Sequence, residues 1–93
     1  MEVIVFSMEG CPHCDNLKNK LVEKNINFTE KDVDKHEILY ESFSKKVDSE
    51  FLPAILIGKK AFIPDRSFKT IDQAVKIIEN HLLNLGLILD FDF

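Results

Sequence analysis

Apolar and polar positions along the chain fall into seven blocks with two periodicities. Residues 2–7 hold the short, β-branched run Val3-Ile4-Val5-Phe6, which reads as a buried strand in a central, parallel position. From 12 to 24 the apolar residues recur at helical spacing, with Cys14, Leu17 and Leu21 facing inward. Asn25-Ile26-Asn27 breaks that helix, and residues 26–33 read as a second strand with Ile26 and Phe28 on one face. Asp34 and Glu37 form an Asp variant of the capping box, opening a helix with the stripe Leu39, Phe43, Val47 and with Ile38 beside it. That helix fades near Asp48-Ser49. Ala54-Ile55-Leu56-Ile57 is a third strand, and Gly58-Lys59 turns it into a fourth over 60–63, making a hairpin. After the loop Pro64-Asp65-Arg66-Ser67, Thr70 and Gln73 form a second capping box. They open a helix over 71–84, with Ile71, Val75, Ile78 and Leu82 buried and Gly86 as its stop.

The order is βαβαββα. Two βαβ connections at the start predict parallel strands with right-handed crossovers, and the hairpin adds an antiparallel pair. The fold class is therefore α/β, a four-stranded mixed sheet flanked by helices. Residues 1–86 form one domain. In the tail, 87–93, Leu89, Phe91 and Phe93 alternate with Asp90 and Asp92, and these residues are expected to pack on the domain's own surface or edge, with contact to a partner as the alternative.

Composition narrows the partners. The 93 residues carry 16 acidic and 12 basic side chains, a net charge of −4, with no long basic run. That weighs against nucleic acid or an anionic membrane as partner. The first residues lack the pattern of a signal peptide, and no apolar run approaches a membrane span. A cytoplasmic, monomeric protein is the expectation.

The chemistry concentrates in Cys11-Pro12-His13-Cys14, which holds both cysteines of the chain. A strand delivers this C-x-x-C to the start of a helix. There, unpaired N–H groups and the helix dipole favour a thiolate at Cys11. Cys14 lies about one turn on, so the two sulfurs can meet. Pro12 suits the first helical turn, where its missing N–H costs nothing. Cys11 is thus the expected attacking thiolate and Cys14 the resolving one, with Pro12 and His13 tuning the pair. A competing reading is a soft-metal module that holds Cu(I) or zinc on the C-x-x-C. Two cysteines fall short of a four-ligand zinc site, and His13, His36 and His81 match no zinc spacing. No resident metal is expected.

With these elements placed, residues 1–84 resemble a glutaredoxin of the thioredoxin-fold superfamily. The likeness rests on four stretches. They are Cys11-Pro12-His13-Cys14, the run from Ile26 through Phe28 to Asp34, Leu52-Pro53-Ala54 at the cis-proline loop, and Gly58 in the hairpin turn. The resemblance implies a thiol–disulfide oxidoreductase with no bound cofactor. It also implies a cis bond before Pro53, with the backbone of Leu52 pairing with an extended substrate. Met8 and Thr70 are the further expected substrate contacts. Three positions depart from the family. Met8 stands where a basic residue is usual, Ile63-Pro64 replaces Gly-Gly, and Leu52 replaces Val. Pro12-His13 likewise replaces the usual Pro-Tyr. Lys45 or Lys46 is the candidate replacement charge for glutathione. In lacking Gly-Gly and having Leu-Pro, the chain is similar to the redoxins that serve ribonucleotide reductase. Protein or mixed disulfides are the expected substrates, with glutathione or a thioredoxin-reductase-like flavoenzyme as donor.

Overall fold

A computed structural model describes residues 2–84. The elements are β1 (Val3–Ser7), α1 (Pro12–Glu23), β2 (Thr29–Asp32), α2 (Glu37–Val47), β3 (Ala54–Ile57), β4 (Lys60–Phe62) and α3 (Ile71–Asn84). They form one four-stranded mixed sheet of order β2-β1-β3-β4. β1 is central, as its apolar run requires. The expected domain limit at 86, the stop at Gly86 and the tail 87–93 lie outside the described residues.

Alternation along β1 builds two cores. Val3 and Val5 face one side and join Ile55 and Ile57 of β3, Leu17 and Leu21 of α1, and Ala74, Val75 and Ile78 of α3. Ile4 and Phe6 face the other side with Ala54, Ile63 and Phe43 of α2. This is the period of two expected for a strand covered on both faces. α1 and α3 therefore pack on one side and α2 on the other.

The structure corrects four expectations. β1 pairs with β2 in parallel, but β3 runs antiparallel to β1, so only the first βαβ connection is a parallel one. α2 carries the chain across the sheet and leaves it at the end where β2 finished. A hydrophobic stripe fixes which face a helix buries but not the direction in which the chain re-enters the sheet. β2 is shorter than 26–33 because pairing with β1 begins only at Thr29. Asn25, with φ of 57°, ends α1, and the N–H groups of Asn25 and Ile26 donate to Val22 and Leu21 carbonyls. Asp34 does not cap α2. Instead Asp32 accepts from the Asp34 N–H through its side chain and from Lys35 and His36 through its carbonyl. That turn delays the helix to Glu37, and His36 caps it without a side-chain bond. Finally, α2 is rotated from the expected stripe. Tyr40, Phe43 and Val47 pack inward, while Ile38 and Leu39 are exposed. The Phe6 ring, with centroids 4.6 Å from Phe43 and 5.6 Å from Tyr40, favours the aromatic face of α2.

Candidate active site

The loop after β1 prepares the first cysteine. The Cys11 N–H donates to the Met8 carbonyl at 3.2 Å, closing a turn through Gly10, whose φ of 81° suits glycine. Cys11 is then extended and caps α1, while its carbonyl accepts from the Asp15 N–H. Its sulfur accepts the Cys14 N–H at 3.2 Å, so one of the orphan donors of the first turn points at Sγ. Pro12 opens the helix as expected. Cys11 and Cys14 form a disulfide, with Cα atoms 5.3 Å apart. Cys14 is fully buried and Cys11 half-buried, so Cys11 is the more open residue of the pair.

Beside the motif the Leu52–Pro53 bond is cis. Pro53 is buried and Leu52 half-buried at the entrance to β3. A groove of about 520 Å³ runs from His13 past Phe51, Leu52 and Pro53 to the start of α3 at Thr70 and Asp72. His13, Leu52, Pro53 and Thr70 are thus brought together along one groove, and neither Cys11 nor Cys14 is among the residues lining it. Met8, exposed in the turn, is not among the residues lining the groove. Lys45 is exposed and pairs with Glu41 at 3.0 Å along its own helix, and neither Lys45 nor Lys46 lines the groove.

Several residues of the groove escaped the sequence reading. Phe51 is an exposed aromatic directly before Leu52-Pro53, a signal that was present in the sequence. Lys20 and Asp72 also line the groove and join at 2.7 Å across α1 and α3. Each shifts the other towards charge, the Asp72 carboxyl downwards and the Lys20 ammonium upwards, through their hydrogen bond first. Nothing in the sequence links two residues so far apart. The expected capping box does form. Thr70 Oγ1 accepts the Gln73 N–H at 3.1 Å, and Gln73 Oε1 accepts the N–H groups of Lys69 and Thr70 at 2.7 and 3.2 Å. At Ile63-Pro64, the Ile63 N–H donates to Ser67 Oγ at 3.0 Å. Arg66 donates to the carbonyls of Val47 and Asp48, fastening this loop to the end of α2.

Among the described residues no three His, Cys, Asp or Glu side chains gather as a metal site. No helix among them is long and apolar enough to cross a membrane.

A protein-family model described as Glutaredoxin matches residues 3–63. A curated relative, N-acetyl-S-hydroxy-L-cysteine reductase of Bacillus subtilis, is 32% identical over 59 residues, covering 63% of this chain and 63% of that protein. Two solved structures share the fold. Glutaredoxin from Brucella melitensis has a TM-score of 0.62 at 23% identity, over 94% of this chain and 88% of that one. The glutaredoxin-like NrdH-redoxin from Escherichia coli has a TM-score of 0.63 at 18% identity, over 78% and 93%.

Proposed function

Since the chain belongs to the glutaredoxin family, we propose that it is a dithiol–disulfide oxidoreductase working through Cys11 and Cys14. The observation that carries this is the half-buried Cys11 at the cap of α1, its sulfur hydrogen-bonded to the Cys14 amide and joined to the sulfur of the buried Cys14. In the reduced protein the same amide and the helix dipole favour the thiolate. Cys11 attacks a substrate disulfide and expels one thiolate, leaving a mixed disulfide. Cys14 then loses its proton and attacks the Cys11 sulfur, releasing the second substrate thiol. Two electrons have passed to the substrate, and the Cys11–Cys14 disulfide awaits a two-electron donor.

A disulfide-bearing protein is the favoured substrate, seated along Leu52 and Pro53 with Phe51 at the rim. Reduction by a thioredoxin-reductase-like flavoenzyme is favoured over glutathione, in a cytoplasmic setting. Support comes from charge and free donors. Glutathione carries two carboxylates, and Met8 brings no cation. Lys20 is already held by Asp72, and the amides of Lys69 and Thr70 are occupied by Gln73, which leaves the Lys69 ammonium as the remaining lysine charge lining the groove. Each lost charge-assisted hydrogen bond costs about 1.5–3 kcal/mol. Ribonucleotide reductase belongs to the class of protein substrate that this reading names.

A second reading follows from the B. subtilis relative, whose name places its action on an S-hydroxycysteine. The groove is of a size that takes small molecules. In that reaction Cys11 attacks the sulfenyl sulfur and expels hydroxide, and Cys14 then releases the thiol.

Mass spectrometry of trapped adducts tests the proposal. Cys14→Ser is expected to hold a mixed disulfide on Cys11, and Cys11→Ser to hold none. Equal trapping by both variants overturns the dithiol mechanism. Turnover coupled to NADPH through thioredoxin reductase, set beside turnover through glutathione and its reductase, decides the donor.

A further inference from the structure

Ser7 is almost wholly buried at the end of β1, four residues before Cys11. Its hydroxyl donates to Glu30 Oε2 on β2 at 2.6 Å, and its carbonyl accepts the Val33 N–H at 2.9 Å. The same Glu30 oxygen accepts from Lys18 Nζ of α1. Lys18 follows Cys14 by four residues, so both lie on one side of the helix, one turn apart. The end of β1, β2 and the first turns of α1 are therefore tied at a single, largely exposed carboxylate.

We propose that Ser7, Glu30 and Lys18 form a positioning network whose balanced charge sets the redox poise of Cys11–Cys14. The proposal rests on the thiol–disulfide role given above. Two further charged groups act on the network. Asp15 lies 3.4 Å from Lys18, and Lys35 is a weaker influence on Glu30. With Lys18 and Lys35 positive and Glu30 and Asp15 negative, the cluster is neutral. Removing one charge leaves a net charge of the opposite sign one helical turn from Cys14. Loss of Glu30 leaves positive charge, which stabilises the thiolate and so the reduced form. Loss of Lys18 leaves negative charge, which does the reverse.

Both side chains are partly solvated, so screening by water limits the effect. A unit charge on the order of 10 Å away, between the water and protein limits of screening, changes the equilibrium about threefold.

The test is equilibration of the full chain with glutathione redox buffers, read by thiol alkylation. Circular dichroism verifies folding. Glu30→Gln is expected to shift the balance about threefold towards the dithiol, and Lys18→Met about threefold towards the disulfide. Lys18→Arg keeps the charge and is expected to restore the native balance. Ser7→Ala removes a neutral hydrogen bond and is expected to leave the balance within that range. A network that only holds the fold together would move both charge variants the same way or neither. Either result overturns the proposal while leaving the redox role intact. A native protein that fails to equilibrate with any dithiol overturns the redox role itself. If Glu30→Gln does not fold, the contrast between Lys18→Met and Lys18→Arg decides alone.

Discussion

The Cys11 sulfur caps a helix as well as carrying chemistry, and the two roles separate by substitution. Cys11→Ser and Cys11→Ala both abolish the disulfide, so comparing them removes its contribution to stability. Serine retains an acceptor for the Cys14 N–H that now bonds Sγ at 3.2 Å. Alanine leaves that donor to water. Loss of an N-cap acceptor costs about 1 kcal/mol, within a range of roughly 0.5–2. For a domain of this size, about 1 kcal/mol moves the unfolding midpoint by about 4–8 °C. Cys11→Ala is therefore expected to melt about 4–8 °C below Cys11→Ser when both are followed by circular dichroism in the same buffer. Pro12 and the Asp15-to-Cys11 backbone bond remain in both variants, so the helix start stays put and only the side-chain acceptor differs. Coincident midpoints would mean that residue 11 does not hold the Cys14 amide. The argument that this amide stabilises a Cys11 thiolate would fall with it.

Three further outcomes are expected. His13→Tyr removes an imidazole from the dipole end of α1 and is expected to make the disulfide harder to reduce, as measured against glutathione buffers. Phe43→Ala empties the aromatic contact with Phe6 and is expected to cost about 3–5 kcal/mol in urea unfolding. Glu30 has its carboxyl held below the ordinary 4.5, first by the Lys18 hydrogen bond and then by that of Ser7. Its stabilising contribution is then complete above 4.5 and fades as pH falls through the lower folded value, and a Glu30→Gln variant is expected to lose less stability over that acid range than the native chain.

What could be read in advance follows from what each signal encodes. The Thr70–Gln73 capping box is local, and it forms as the spacing implies. The inward set Cys14, Leu17 and Leu21 is likewise a periodicity, and all three are fully buried. The antiparallel return of β3 had no local signal, because a helix between two strands is compatible with either direction. The rotation of α2 depended on which side chains Phe6 offers from another strand. Asp34 and Glu37 matched a capping spacing, but Asp32 claimed the same backbone first. The cysteines were legible because their chemistry needs only a strand, a turn and a helix. The groove was legible at Leu52, Pro53 and Thr70. Lys20 and Asp72 meet only after α1 and α3 dock, so their pairing is a product of tertiary structure.

The two cores differ in how much of the chain must exist before they can close. Among the described residues, the face with Phe6, Phe43, Ala54 and Ile63 draws nothing from beyond position 63. The face with Val3, Val5, Leu17 and Leu21 needs Phe68, Ile71, Ala74, Val75, Ile78 and Leu82 to cover it. During synthesis, therefore, the α2 side can assemble while α3 is still inside the ribosome. The α1 side stays open to water or to a chaperone until α3 emerges. At about 5–20 residues per second that interval lasts on the order of seconds. It gives the chain a built-in order of assembly, in which the long-range contacts between α1 and α3 come last.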